Sequence, residues 1–291
     1  MKKKLFIISK NFGNLFGGAE NSLIEIAKLY EKKGYQINYF NFSSSIKEKS
    51  KSGFKLPKKW NKININSFNV SFYFFYLDFF LNFFNLIIIR KYINKTDKVI
   101  INGNFLPIHN FIDCKNKILS IRALGELGID RNNNPRFTFK YFFKIILNIL
   151  NFSPRLIWKS MVFNSKAAEY HFNSKYLIKI FKGQNNLKLK LKYIPPIIDK
   201  NIIQKFRNLK KKNVRKGIVL FGNSNYKGVH IFKKIADYFK DEIFYIFDLK
   251  HKKKTKVKNI YYLPWISSPN QYSYAKLVLI PSVCGEAYSR T

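Results

Sequence analysis

Acid is what this chain has little of. Only 16 Asp and Glu stand against 54 Lys and Arg, a net charge of +38 over 291 residues. Cysteine is scarcer, with Cys114 and Cys284 far apart. Two distant thiols build neither a disulfide framework nor a thiolate metal site, which points to a reducing compartment. The four histidines, His109, His171, His230 and His251, include no His-x-x-x-His pair, so no structural metal is expected. A secretory leader is not expected either. Lys2, Lys3 and Lys4 precede the apolar run Leu5–Ile8, which is too short for a signal core and reads as a buried strand. A cytoplasmic protein is therefore expected.

Apolar residues make up 46% of the chain, a globular share, and the length allows two domains. The positive charge has two functional readings, a nucleic acid or an anionic membrane surface. It also has a bland one, because Lys, Asn, Ile, Phe and Tyr abound together and all use A/T-rich codons. The sequence has no RNA-recognition signature, zinc finger or helix-turn-helix pattern, which argues against nucleic acid.

Strands and helices alternate along the chain. Leu5–Ser9 and Gln36–Phe42 read as strands around an amphipathic helix, Ala19–Lys33, closed by Gly34. Ser43–Lys62 is Lys-rich and loop-like. Lys98–Asn102, Lys117–Ile121, Met161–Asn164 and Leu189–Ile194 are expected as further strands, and Phe137–Phe152 and Ala167–Phe181 as helices. After a basic linker, Asp199–Lys216, the pattern restarts. Strands are expected at Ile218–Phe221, Ile243–Phe247, Ile260–Leu263 and Leu277–Ile280, with helices at Gly228–Phe239 and Ser268–Ala275. Repeated β-α-β order predicts parallel sheets in two Rossmann-like domains, residues 1–200 and 201–291, with a ligand in the crevice between them.

Two stretches invite a membrane reading. Val70–Tyr92 is long and apolar, and Asp78, Asn82 and Asn85 form one polar stripe at helical spacing. Lys140, Lys144, Asn148 and Asn151 do the same in Phe137–Phe152. An apolar helix with one polar stripe fits a domain helix or an interfacial one. A spanning helix would carry Asp78 near its middle at a cost on the order of 3 kcal/mol.

Three places could carry chemistry. Gly17-Gly18-Ala19-Glu20 follows the first strand and opens the first helix, where close backbone approach and helix-end amides suit phosphate or sugar oxygens. It lacks the G-x-G-x-x-G spacing of dinucleotide enzymes and equally fits a plain tight turn. Gly222–Val229 holds the same place in the second half, with Lys227 at the helix start able to neutralise a diphosphate. In so basic a chain Lys227 also fits a solvated surface lysine. Pro281–Ser289 follows the last strand and carries Glu286, placed to bind sugar hydroxyls or simply to sit at a helix N-terminus.

In this order and spacing the three motifs resemble family 4 of the retaining, two-domain (GT-B fold) glycosyltransferases. Gly17–Glu20 matches that family's Gly-Gly-Ala-Glu, Lys227–Val229 its Lys-Gly-Val, and Pro281–Glu286 its Pro-Ser-x-x-x-Glu. Val162–Ser165 is similar to the strand ending in serine, and Tyr193–Asp199 to the interdomain segment. The resemblance implies an α/β fold of two facing Rossmann-like domains, acceptor-side first and nucleotide-sugar-binding second. It implies a UDP- or GDP-linked sugar donor and a cell-surface glycan or lipid-linked acceptor. Lys227 would bind the donor diphosphate and Glu286 the donor sugar. Asn223, Ser224 and the amides of Ala287, Tyr288 and Ser289 would line the nucleotide-sugar site, with Gly17 and Gly18 on the opposite wall. The sequence contains no Asp-x-Asp, which fits metal-free transfer with no cofactor beyond the donor.

Three features depart from the family pattern. Asn223 stands where many members have arginine, and Arg122 follows Ile118–Ile121 where many have histidine, leaving a substrate contact at Arg122. A second glutamate eight positions after Glu286 would fall beyond Thr291. The second domain is accordingly expected to be incomplete and activity weak or absent. The competing expectations are a non-enzymatic basic membrane-surface protein on a decayed glycosyltransferase scaffold, and a nucleic-acid binder.

Overall fold

The computed structural model describes residues 3–10, 12, 18–43, 56–68, 70, 74–128, 139–163, 168–184, 189–195, 203–204, 206–207, 217–266 and 270–282. The linker expected at 199–216 lies almost wholly outside them. The chain divides into two units, Met1–Ile197 and Ile198–Thr291.

The first unit is built on seven parallel strands: β1 Lys4–Ile8, β2 Gln36–Ser43, β3 Asn61–Asn66, β4 Lys98–Asn102, β5 Asn116–Ile121, β6 Ala168–Phe172 and β7 Lys190–Tyr193. Their order is β3-β2-β1-β4-β5-β6-β7. The central strands are unbroken apolar runs because both faces are covered. Leu5, Ile7, Ile8, Val99, Ile101, Leu119 and Ile121 are all fully buried. Each such side chain contributes about 1.5–3 kcal/mol relative to exposure. Helix α1, Gly18–Lys32, lays Leu23, Ile24 and Ala27 on this sheet against Phe12 and Trp60.

Four expectations are corrected in this unit. The polar Ser43–Lys62 run gives way at Asn61 to strand β3, whose Ile65 is buried while asparagines pair across the edge. Asn38 accepts from Asn61 at 3.0 Å, and Asn41 donates to Asn64 at 3.1 Å. The Val70–Tyr92 stretch is not one helix. It breaks into α2 Leu77–Leu81, α3 Phe83–Ile87 and a 3-10 turn Ile88–Tyr92. Asn82 sits at the break, its side chain bonding the Asp78 carbonyl at 3.0 Å and accepting the Phe68 amide at 2.6 Å. A side-chain amide that competes for backbone partners interrupts the helical ladder. The stripe is also turned inward, with Asp78 and Asn82 buried while Leu81, Phe84 and Ile88 are exposed.

The third and fourth corrections lie further on. Helix α4 runs Phe139–Phe163, so Met161–Phe163 is helical, not the start of a strand. The expected helix over Ala167–Phe181 is instead strand β6 followed by helix α5, Lys175–Gln184. The tetrapeptide Phe-Asn-Ser-Lys occurs twice, at 163–166 and 172–175, and the second copy ends the strand. Ser174 accepts the Leu177 amide at 3.1 Å and so starts α5. Among the described residues, no helix is long and apolar enough to cross a membrane.

The second unit carries β8 Gly217–Phe221, β9 Ile243–Asp248, β10 Thr255–Val257, β11 Ile260–Pro264 and β12 Ala275–Val278. Their order is β10-β11-β9-β8-β12, parallel except for the β10–β11 pair. Helix α6, Val229–Tyr238, packs Val229, Phe232 and Ala236 on Phe244 and Ile246. The expected helix at Ser268–Ala275 is a 3-10 turn, Asn270–Tyr274.

Candidate functional site

Open α/β sheets bind ligands outside the carboxyl ends of their strands, where the strand order reverses. The first sheet reverses between β1 and β4, the second between β8 and β12.

In the first unit the chain leaves β1 through Lys10, whose Nζ lies 2.6 Å from Asp78 Oδ2. Asn82 donates to the same carboxylate at 2.7 Å, and Asn104, just past β4, donates as well. Burial pushes the Asp78 carboxyl above its usual range, opposed by Lys10 and the two amides. Asn102, ending β4, donates to the Ser120 carbonyl at 2.8 Å and to Glu126 Oε1 at 3.1 Å. Glu126 in turn accepts the amides of Arg122 and Ala123.

Arg122 is buried, its Nε donating to Ser120 Oγ at 2.8 Å and its carbonyl accepting from Asn173 at 3.3 Å. Its guanidinium favours the charged form of Glu20 in the first turn of α1, although burial still raises the Glu20 carboxyl. The first motif and Arg122 are thereby brought together. Gly18 opens α1, and Gly17 lies outside the described residues. Lys10, Asp78, Asn102 and Glu126 were not singled out as site residues from the sequence. In a chain with only 16 Asp and Glu, Asp78 and Glu126 are conspicuous as acids, and that scarcity was the signal available for them.

In the second unit β8 ends in a tight loop. Gly222 has φ +95° and donates to the Phe247 carbonyl at 2.8 Å. The Asn223 amide donates to Asp248 Oδ2 at 2.7 Å, and its side-chain amide meets His251 Nε2 at 3.2 Å. Ser224 caps the short turn Asn225–Lys227 and accepts the Lys227 amide. Gly228 then takes φ +74°, and a Cβ there would lie 2.0 Å from the Pro281 carbonyl oxygen. Only glycine fits so close a backbone approach. The second motif is thus pressed against the start of the third. Lys227 is half-buried with its stem packed over Gly222, where a Cβ would lie 3.3 Å from Lys227 Cγ. Glu286, Ala287, Tyr288 and Ser289 lie outside the described residues. Among the described residues no three His, Cys, Asp or Glu side chains gather as a metal site would need.

Two Rossmann-like sheets of this kind recur in solved structures. A trehalose-6-phosphate synthase, OtsA, is similar with a TM-score of 0.51 at 10% identity, over 96% of this chain and 78% of that one. The chain has the GT-B fold. An apo OtsA structure gives 0.50 at 11% identity over the same shares, 96% and 78%. Apo UGT2 of Phytolacca americana gives 0.49 at 10% identity, over 94% of this chain and 68% of that one, a likeness too low to argue from. No family model and no curated protein matches the sequence.

Proposed function

We propose that this protein is a retaining, metal-independent glycosyltransferase of family 4 that moves a sugar from a UDP- or GDP-linked donor to a glycan or lipid-linked acceptor. The observation that carries the reading is the Gly222–Gly228 loop, clamped on Pro281 at the switch point of the second sheet. It holds the Lys227 stem against the turn, so the ammonium needs little reordering to meet a diphosphate. Retaining transfer expels a nucleoside diphosphate whose charge grows as the glycosidic bond breaks. A cation placed for that charge accelerates the step by roughly 10²–10³. Glu286 and the amides of Ala287, Tyr288 and Ser289 hold the sugar and β-phosphate, beside Asn223 and Ser224. Gly17 and Gly18 line the opposite wall of the nucleotide-sugar site, and Arg122 contacts substrate. No cofactor other than the donor is needed, and the acceptor lies at the cytoplasmic face of a membrane.

Calorimetry with UDP and GDP tests the reading. Binding of one of them, weakened at least tenfold by Lys227→Ala and unchanged by EDTA, is expected. No binding of either nucleotide, or binding indifferent to Lys227→Ala, would sink it. Loss on chelation with recovery by Mn²⁺ would sink the metal-free part alone.

A further inference from the structure

Helix α4 is amphipathic the wrong way round for a domain helix. Its inner side is anchored by the fully buried Trp158, whose Nε1 donates to the Asn104 carbonyl at 2.8 Å. Its outer side carries Ile149, Leu150, Leu156 and Ile157 in the open, with Ile149 67% exposed. The spacing i, i+1, i+7, i+8 makes these one continuous ridge. The neighbouring helices repeat the pattern. Tyr76, at the head of α2, packs on Trp158 at 5.3 Å, and α2 and α3 expose Leu81 and Phe84, the latter to 81%. Proteins that stay in water rarely leave an apolar ridge of this size uncovered.

We infer that this ridge is a docking surface for an anionic lipid bilayer. Charge decides among the occupants. A second copy of the chain would bring its own +38 to the contact. Nucleic acid would answer the charge but has nothing to match a ridge of Ile and Leu. An anionic bilayer answers both, taking the apolar side chains into the acyl boundary while lysines and arginines meet the headgroups. Arg155, stacked 5.5 Å from the Phe152 ring, and the exposed Arg90 and Lys91 stand near the ridges in sequence to do so. The inference deepens the membrane location in the proposed function and rests on it, but it does not rest on the transfer chemistry.

Flotation of the full chain tests it, with vesicles of equimolar phosphatidylcholine and phosphatidylglycerol against pure phosphatidylcholine. The chain should float with the anionic vesicles at low salt, float much less at high salt, and stay below with the neutral ones. The double variant Ile149→Ser/Leu156→Ser should bind about tenfold or more weakly. Tyr238→Ser, which removes an exposed ring from α6, should bind as the parent does. Amide exchange over residues 146–157 of the parent should slow on adding anionic vesicles, which decides the matter even if the double variant folds poorly. Failure to float, equal flotation on neutral vesicles, unchanged binding by a folded double variant, or a vesicle-free dimer that the double variant dissolves would each overturn the inference. No nucleotide enters the assay, so a failed transferase reading leaves this result standing, and the reverse holds too.

Discussion

Where β1 leaves the first sheet, the next charged side chain, Lys10, meets the buried carboxylate of Asp78 at 2.6 Å. Where β8 leaves the second, the chain turns through Gly222 and lays half-buried Lys227 across the turn. The first unit spends three of the chain's few acids, Glu20, Asp78 and Glu126, around its strand ends and matches them with Lys10, Arg122 and asparagine amides. Among the described residues the second places one carboxylate, Asp248, close to its loop, where it accepts the backbone amides of Asn223 and Lys250. The two strand ends are thus built differently, with a buried ion pair at the first and a glycine turn carrying a half-buried lysine at the second. A lysine laid over a glycine turn at a strand end is an arrangement that suits a diphosphate.

The largest effect should come from breaking the internal neutralisation. Asp78→Ala leaves Lys10 without its carboxylate and Asn104 without this acceptor, while Asn82 keeps the residue-78 carbonyl. Removing one partner of a buried pair costs about 3–5 kcal/mol. Lys10 keeps partial exposure, 18% of its side chain, so the lower end is expected in urea unfolding. A loss below about 1 kcal/mol would mean that the pair is ordinary surface electrostatics and that the contrast between the units is void.

Next comes the backbone clamp of the second unit. Gly228→Ala puts a methyl where the Pro281 carbonyl already stands and forces an L-residue to φ +74°. The conformational and steric costs together come to about 2–3 kcal/mol. Urea unfolding should show that loss, and nucleotide binding should fall with it. A neutral Gly228→Ala would show that the loop is not held in the position on which Lys227 depends.

How far the sequence reached follows the same division. Strands β1, β4, β5 and β8 were legible because burial on both faces writes them as plain apolar runs. Helix α1 was legible from the spacing of Leu23, Ile26 and Ala27. Strand β3 was not, because its exposed positions are asparagine and lysine and merge with the basic run before it, although Ile63 and Ile65 alternate correctly. Strand β6 was misplaced because Phe-Asn-Ser-Lys appears twice and local pattern cannot choose between the copies. The loop around Lys227 could be read because its residues are neighbours in the chain. The Lys10–Asp78–Asn104 cluster could not, since its members come from segments dozens of residues apart and meet only once the sheet is assembled.

Acid should act on the first unit through His109. The ring is fully buried, and among the described residues neither nitrogen has a hydrogen-bond partner. Burial, aided by the nearby Lys117 charge, lowers its pKa from 6.5 to about 4. Between those values the unfolded chain holds the extra proton, so stability rises with pH there and is lost as pH falls towards 4. The ceiling is on the order of 3 kcal/mol for a shift of this size. Asp78 and Glu20, whose carboxyls are raised, give the opposite slope just above their ordinary values. The difference between the parent and His109→Leu cancels them. That difference should shrink steadily from pH 4 to 6.5, with the leucine variant at least as stable as the parent at neutral pH, because no buried nitrogen is left unbonded. Parallel stability curves for the two proteins would show that His109 is not held neutral by the fold.

The smallest effect sharpens the comparison directly. If the second unit's strand end is the anion-binding one, adding a cation beside Lys227 should strengthen it. Asn223 is the position to change, since it follows Gly222 in the loop and among the described residues its side chain meets His251 at 3.2 Å. The backbone amide of residue 223 would still reach Asp248, so the loop anchor survives the substitution. Asn223→Arg should tighten UDP or GDP binding by about tenfold, the worth of one charge-assisted contact at a partly exposed site, near 1.4 kcal/mol. The gain should fade with added salt, because the site is half open to solvent. An equivalent cation at the end of β1, made by Ser9→Arg, should not create nucleotide binding there, because Asp78 and Glu126 already set the charge of that end. Equal gains at both positions would mean that the chain's overall charge, and not the geometry of the Gly222–Gly228 loop, decides where a diphosphate binds.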